Sequence, residues 1–133
     1  YIVYILYTQH MASLFLDDES SHLASVTSEY ENTVVQGLLN GATTPENGWI
    51  GGSDKDTEGT WVWADTTAFT FTYWFTSEME IILFWVVLKI KCILDQPGGA
   101  DTQNCMRMRK LDGKWDDTVC DQTSTKAFVC KKK

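Results

Sequence analysis

Residues 104–120 read Asn-Cys-Met-Arg-Met-Arg-Lys-Leu-Asp-Gly-Lys-Trp-Asp-Asp-Thr-Val-Cys. Cys105 to Arg109 and Lys114 to Cys120 are two short strand candidates, and Ala127 to Cys130 is a third just beyond them. The chain has four cysteines, Cys92, Cys105, Cys120 and Cys130, and no Cys-x-x-Cys pair that would point to zinc or to thioredoxin-type redox chemistry. Disulfides are therefore expected, and with them an oxidising, secreted or extracellular setting. A bridge from Cys105 to Cys120 would close a loop worth roughly 3 kcal/mol in the chain-entropy model.

Outward from this stretch, the rest of the chain divides into early helix and late strand. Tyr1 to Tyr7 is β-branched and aromatic and reads as an edge strand; it carries neither an initiating Met nor the basic flank of a signal peptide. Met11, Leu14 and Phe15 recur at helical spacing after Thr8, which predicts a short first helix ending by Ser20. Ser28 and Glu31 form a Ser-x-x-Glu capping box ahead of the apolar stripe Tyr30, Val34, Val35, Leu38 and Leu39, and Asn40-Gly41 is expected to end that second helix with glycine in the left-handed conformation. From Trp49 the period becomes two: Trp49-Ile50 and Trp61-Val62-Trp63 read as short strands. Thr66 to Trp74 alternates threonine with large side chains, as a half-buried strand or loop wall does.

The 133 residues are enough for one domain with a single core, and the 44% hydrophobic composition excludes disorder. Lys+Arg 11 against Asp+Glu 18 gives a net charge of −7, which disfavours nucleic acid as a partner. Residues 1–88 carry twelve acids and one base, whereas residues 89–133 carry six acids and ten bases, so the first part suits cations better than anions. The longest apolar run, Ile81 to Leu88, is far shorter than the ~20 residues a spanning helix needs, so no membrane-spanning segment is read.

Leu23-Ala24-Ser25-Val26 before the capped helix, Trp49-Ile50-Gly51-Gly52, Glu58-Gly59-Thr60-Trp61-Val62-Trp63, Gln96-Pro97, Asn104-Cys105-Met106, Gly113-Lys114-Trp115-Asp116-Asp117, Cys120 and Phe128-Val129-Cys130 follow one another in an order that resembles the C-type lectin-like domain. The resemblance covers residues 20–74 and 95–131. It implies an α+β double-loop fold over the single domain 1–133, with two helices flanking small antiparallel sheets. It also implies a disulfide between Cys105 and Cys120, and core roles for Trp49 and Trp61. Two departures stand out. The family's other cysteine partner falls at Leu16, leaving Cys130 either free or paired with Cys92, and about 75–94 is an atypical apolar insertion where a short polar loop is usual.

In sugar-binding members, calcium is held by a Glu-Pro-Asn or Gln-Pro-Asp triplet, by an acid before the loop cysteine and by an Asn-Asp pair after the tryptophan. The sugar binds the same ion through vicinal hydroxyls. Carried over residue by residue, Gln96, Gln103, Asp116 and Asp117 occupy four of those positions, Gly98 supplies no side chain, and Asp101 is close enough in sequence to substitute. Asp54 and Glu58 have the spacing of the family's auxiliary calcium site. The resemblance thus implies a calcium-dependent carbohydrate-binding lectin with Ca2+ as cofactor, leaning towards galactose-type sugars through Gln96-Pro97. Simpler readings stand beside these: Pro97-Gly98 is also strong turn chemistry, and exposed acids such as Asp54 are usually only solvated. The alternative function is a non-sugar domain that binds a protein, ice or mineral surface, with Ile81 to Leu88 as a partner surface, a homo-oligomer contact or a buried strand. No enzyme is read, since His10 and His22 lie in no nucleophile or zinc motif.

Overall fold

In a computed structural model of the protein, the described residues are 2–5, 21–42, 47–82, 89–98, 102–121 and 127–132. The first helix expected before Ser20 lies outside them, as do Leu16, Asp101 and residues 83–88 of the apolar run.

The described helix, α1 (Glu29–Gly41), starts at Ser28, whose hydroxyl accepts the Glu31 N–H at 3.2 Å. The reciprocal half of the capping box shifts by one residue: Glu31 Oε2 takes the Thr27 N–H at 2.8 Å and the Thr27 hydroxyl at 2.7 Å, while Oε1 pairs with Lys131 at 3.2 Å. A carboxylate at this end also complements the positive pole of the helix. The helix buries Asn32, Val35 and Leu39, whereas Tyr30 is exposed, so the inward stripe is narrower than the sequence pattern. Gly41 remains helical and Ala42 ends the helix in extended backbone, its N–H reaching Leu39 O at 3.2 Å; the left-handed glycine terminus does not form.

The strands are β1 (Ile2–Ile5), β2 (Ser21–Leu23), β3 (Asn47–Ser53), β4 (Val62–Trp63), β5 (Thr76–Ile82), β6 (Lys89–Asp95), β7 (Cys105–Arg109), β8 (Trp115–Thr118) and β9 (Ala127–Lys132). Among the described residues, one mixed sheet runs β1-β9-β3-β7-β8, with β2 on β9 and β4 on β3. Most pairs are antiparallel as expected, the β3–β9 pair is parallel and makes the main sheet mixed, and β1 stands at an edge as expected. Gly51 allows the β2 segment to cross β3: a Cβ there would come 2.6 Å from the Leu23 carbonyl oxygen, and its N–H binds Ala24 O at 2.9 Å.

Trp61, Trp63, Met106, Met108 and Trp115 form the main core with Val35 and Leu39 of α1, while Trp49 and Phe128 pack together on the other side of the sheet. Thr66 to Trp74 is a loop wall rather than a strand. Phe69, Phe71 and Trp74 surround the Trp115 ring edge-on, with centroids 6.3, 5.6 and 5.9 Å away, and Thr70 and Thr72 face outward. This wall runs along β8 through Trp115 N–Tyr73 O and Phe75 N–Trp115 O hydrogen bonds, both 2.8 Å.

The insertion forms an antiparallel ribbon, β5 with β6, in the register Thr76 opposite Asp95 to Ile82 opposite Lys89. It makes its own two-stranded sheet and does not extend the main one. At its base Gln96 N donates to Phe75 O at 2.9 Å, and Phe75 in turn is bonded to Trp115. The ribbon therefore delivers Gln96-Pro97-Gly98 next to the strand that carries Asp117.

Candidate functional site

β7 and β8 pair with Cys105 opposite Thr118 and Met106 opposite Asp117. The Cys105–Cys120 disulfide closes just beyond the end of this pair, as the resemblance implies, with Cα atoms 5.1 Å apart. Cys130 is a free thiol, 7% exposed, so the alternative pairing with Cys92 is not made; burial in the sheet raises its pKa.

The loop after β6 meets β8 at Gly98. The Gln96–Pro97 peptide is cis. Gly98 N–H is shared between Asp117 Oδ2 at 2.8 Å and Gln96 Oε1 at 3.1 Å. A methyl group built on Gly98 would sit 3.3 Å from Gln103 Oε1 and 3.7 Å from both Gln96 Oε1 and Asp117 Oδ2. Three of the residues singled out from sequence, Gln96, Gln103 and Asp117, thus present oxygens to one small cup that exists because residue 98 has no side chain. Asp117 is 4% exposed, and its Oδ1 is buried without a hydrogen-bond partner. A buried carboxylate oxygen with nothing to accept from is costly unless a cation or water completes it.

Asp116 departs from the expected set. Successive strand residues point to opposite faces, so turning Asp117 towards Gly98 turns Asp116 away. There Arg107, opposite it on β7, takes its Oδ2 through Nη2 at 2.9 Å and Nε at 3.1 Å.

The auxiliary pair is also separated in character. Asp54 is 3% exposed and its Oδ2 accepts the Gly59 N–H at 3.0 Å, but Oδ1 is buried and unpartnered, whereas Glu58 is exposed. Ser53 pairs with Cys105 and its hydroxyl donates to Asn104 O at 2.7 Å, which brings the start of the Asp54 loop alongside Asn104. Asn104 Oδ1 is a further buried oxygen without a partner. Asn104 is not among the ligands singled out from sequence; its position directly before the loop cysteine is the one signal it carries there.

All of these donors are oxygens, the class a hard divalent cation takes, but carboxylates are few: among the described residues no three His, Cys, Asp or Glu side chains gather at one point. In donor class Asp117, with the amide oxygens of Gln96 and Gln103 around Gly98, fits calcium; in number the described donors fall short of its 6 to 8 oxygens. No described helix is long and apolar enough to cross a membrane.

Comparison with known proteins agrees with this architecture. Residues 7–132 match the lectin C-type domain profile. The alpha-N-acetylgalactosamine-specific lectin of Patiria pectinifera is 33% identical over 115 residues, covering 83% of this chain and 56% of that protein, so the chain spans little more than half of its length. Human lithostathine superposes with a TM-score of 0.69 at 22% identity, covering 98% of this chain and 82% of that one. A calcium-independent type II antifreeze protein gives 0.65 at 22% identity, covering 98% and 85%. At those identities the two structures speak for the fold alone. The profile match describes a non-enzymatic binding module, and by it the chain belongs to the C-type lectin domain family.

Proposed function

We propose that this domain is an extracellular, calcium-dependent carbohydrate-binding module whose ion and sugar share the cup formed by Gln96, Gln103 and Asp117. The observation that carries this reading is the Asp117 carboxylate, whose Oδ2 lies with the Gln96 and Gln103 amide oxygens around Gly98 and whose Oδ1 is buried and unpartnered. Bound there, calcium would supply an electrophilic centre for two vicinal sugar hydroxyls. Asp101, outside the described residues, belongs to the same loop by sequence and is proposed as an additional ligand. Asp54, with Glu58 on its loop and Asn104 alongside, is proposed as the auxiliary calcium site, on the strength of the unpartnered Asp54 Oδ1 and Asn104 Oδ1. Gln96-Pro97 supports a galactose-type preference, as does likeness to a lectin named for N-acetylgalactosamine. The disulfide supports an extracellular setting.

Even with Asp101 added, Asp117 and two or three further donors fall short of the 6 to 8 oxygens calcium takes, which implies low affinity, on the order of 10⁻⁴–10⁻³ M, the range of extracellular modules. That same shortage of donors favours a second reading, a domain that binds a protein, ice or mineral surface without calcium. Residues 81–88 are then the proposed partner or self-association surface.

Retention on immobilised galactose and mannose in millimolar calcium, followed by EDTA, separates the two readings. The lectin reading expects retention on galactose and release by chelator. Failure to bind either matrix in calcium, or retention that EDTA leaves untouched, contradicts it.

A further inference from the structure

On the face of the sheet to which Asp116 turns lies a cleft of about 650 Å³ lined by Asn40, Asn47, Arg109, Lys110, Leu111 and Asp116. That volume lies within the range typical of small-molecule sites. The lining comes from four elements of the fold and the turn after β7. Asn40 is in the last turn of α1, Asn47 on β3 stands opposite Arg109 on β7, and Asp116 is on β8.

The cations are held in place with donors to spare. Arg109 Nε pairs with Asp112 Oδ1 at 3.3 Å and its guanidinium lies 3.7 Å over the Phe75 ring, which leaves its terminal nitrogens available. Lys110 Nζ donates to Ala42 O at 3.0 Å, using one of its three protons, while its backbone carbonyl is pinned by Gln36 Nε2 at 3.2 Å. Arg107 fixes the Asp116 carboxylate from the side. Arg107, Arg109 and Lys110 against Asp112 and Asp116 leave this region net positive on a chain whose total charge is −7. Asn40 and Asn47 add amide donors and acceptors, and Asp116 remains an acceptor. Leu111, at 85% exposed, puts an apolar side chain at the rim with no core role.

We propose that this cleft is a second binding site, separate from the Gly98 cup, for a small hydroxylated carboxylate of the sugar-acid class. The anionic group bonds Arg109 and Lys110 in charge-assisted hydrogen bonds. The hydroxyls meet Asn40, Asn47 and Asp116, and the apolar face of the ring rests on Leu111. Asp116 and Asp117, adjacent in sequence, then serve two different sites because the strand pleat sends them to opposite faces.

The test is a calorimetric or NMR titration of glucuronate into the full chain with excess EDTA, which disables the calcium cup. Saturable binding is expected, weakened about tenfold or more for neutral glucose and for the Lys110→Gln and Leu111→Glu variants. Leu111 is too exposed for its substitution to disturb the fold. Absence of saturable binding, or equal binding of glucose, would each overturn the proposal. Competition by inorganic sulfate at equal concentration would reduce the cleft to a charge patch and overturn the assignment of a hydroxylated ligand.

Discussion

Asp117 Oδ2 accepts the backbone N–H of Gly98 at 2.8 Å although nineteen positions of chain separate the two residues. This one bond joins the loop leaving the ribbon to strand β8 and leaves the other carboxylate oxygen buried and unpartnered. Gly98 is the critical position of the proposed calcium cup, because the space a side chain would occupy is bordered by Gln96, Gln103 and Asp117 oxygens.

Gly98→Asp is therefore expected to raise calcium affinity about tenfold or more by adding a second carboxylate to the cup. Its backbone φ lies outside the left-handed region, so a side chain meets no backbone strain there, and only Gln103 Oε1, 3.3 Å from the new Cβ, must yield slightly. Calorimetric titration of calcium into this variant and the parent checks the direction. An unchanged or weaker affinity would mean that the cup is not the metal site.

Asn32 reaches from α1 into the core, where its Oδ1 accepts the Trp115 Nε1–H at 2.7 Å and its Nδ2 donates to Gly113 O at 3.1 Å. Asn32→Leu keeps similar bulk but strands both groups in a buried site. An unfolding penalty of about 1–3 kcal/mol per stranded group is expected, seen as a lower urea midpoint with an unchanged slope. A loss under 0.5 kcal/mol would show that water reaches the Trp115 indole.

Asp65 braces Ser25 to the loop after β4. Burial alone would favour its neutral acid, but the Ser25 hydroxyl at 2.7 Å and the Thr67 N–H at 3.0 Å outweigh this, with help from the charge of Lys131, and hold its pKa below 3.8. A carboxyl whose folded pKa is depressed supplies stability that is full above its unfolded pKa and is lost as pH falls through the folded value. Acid unfolding of the parent is expected to steepen below about pH 4. Ser25→Ala is expected to lose about 1.5–3 kcal/mol at neutral pH and to flatten that limb, because the released charged hydrogen bond is part of the shift. Denaturation midpoints at pH 7 and pH 3 for both proteins give the comparison, and parallel pH curves would contradict it.

The parts of the fold that were legible in the sequence are those where local chemistry and packing agree. Ser28 announces α1 because a helix needs a cap. Trp49 and Trp61 announce the core, as the resemblance implies, and Trp63 and Trp115 join them inside. The ordered marks that resemble the C-type lectin-like domain carried the disulfide and the meeting of Gln96 with Asp117. Gly41 misled because the last turn closes through Ala42 without a left-handed residue. Asp116 misled because side-chain direction depends on the strand pleat, and its partner Arg107 is fixed by a cross-strand register that spacing alone does not reveal. The ribbon was visible only as an apolar insertion, since helix and strand are not distinguished by a run of apolar residues. The cleft beside Lys110 had no linear signature, as its lining comes from α1, β3, β7, β8 and the turn between the last two.

Calcium-dependent thermal unfolding of the parent chain and of Asp117→Asn is the most direct measurement. With a dissociation constant near 1 mM, raising calcium to about 10 mM stabilises the parent by roughly 1.4 kcal/mol through linkage. The expected result is a rise in melting temperature for the parent that EDTA reverses and that Asp117→Asn diminishes, leaving only the part that an ion at the Asp54 loop supplies. A parent indifferent to calcium, or a variant that responds as the parent does, would contradict a divalent ion shared between the Gln96 loop and Asp117.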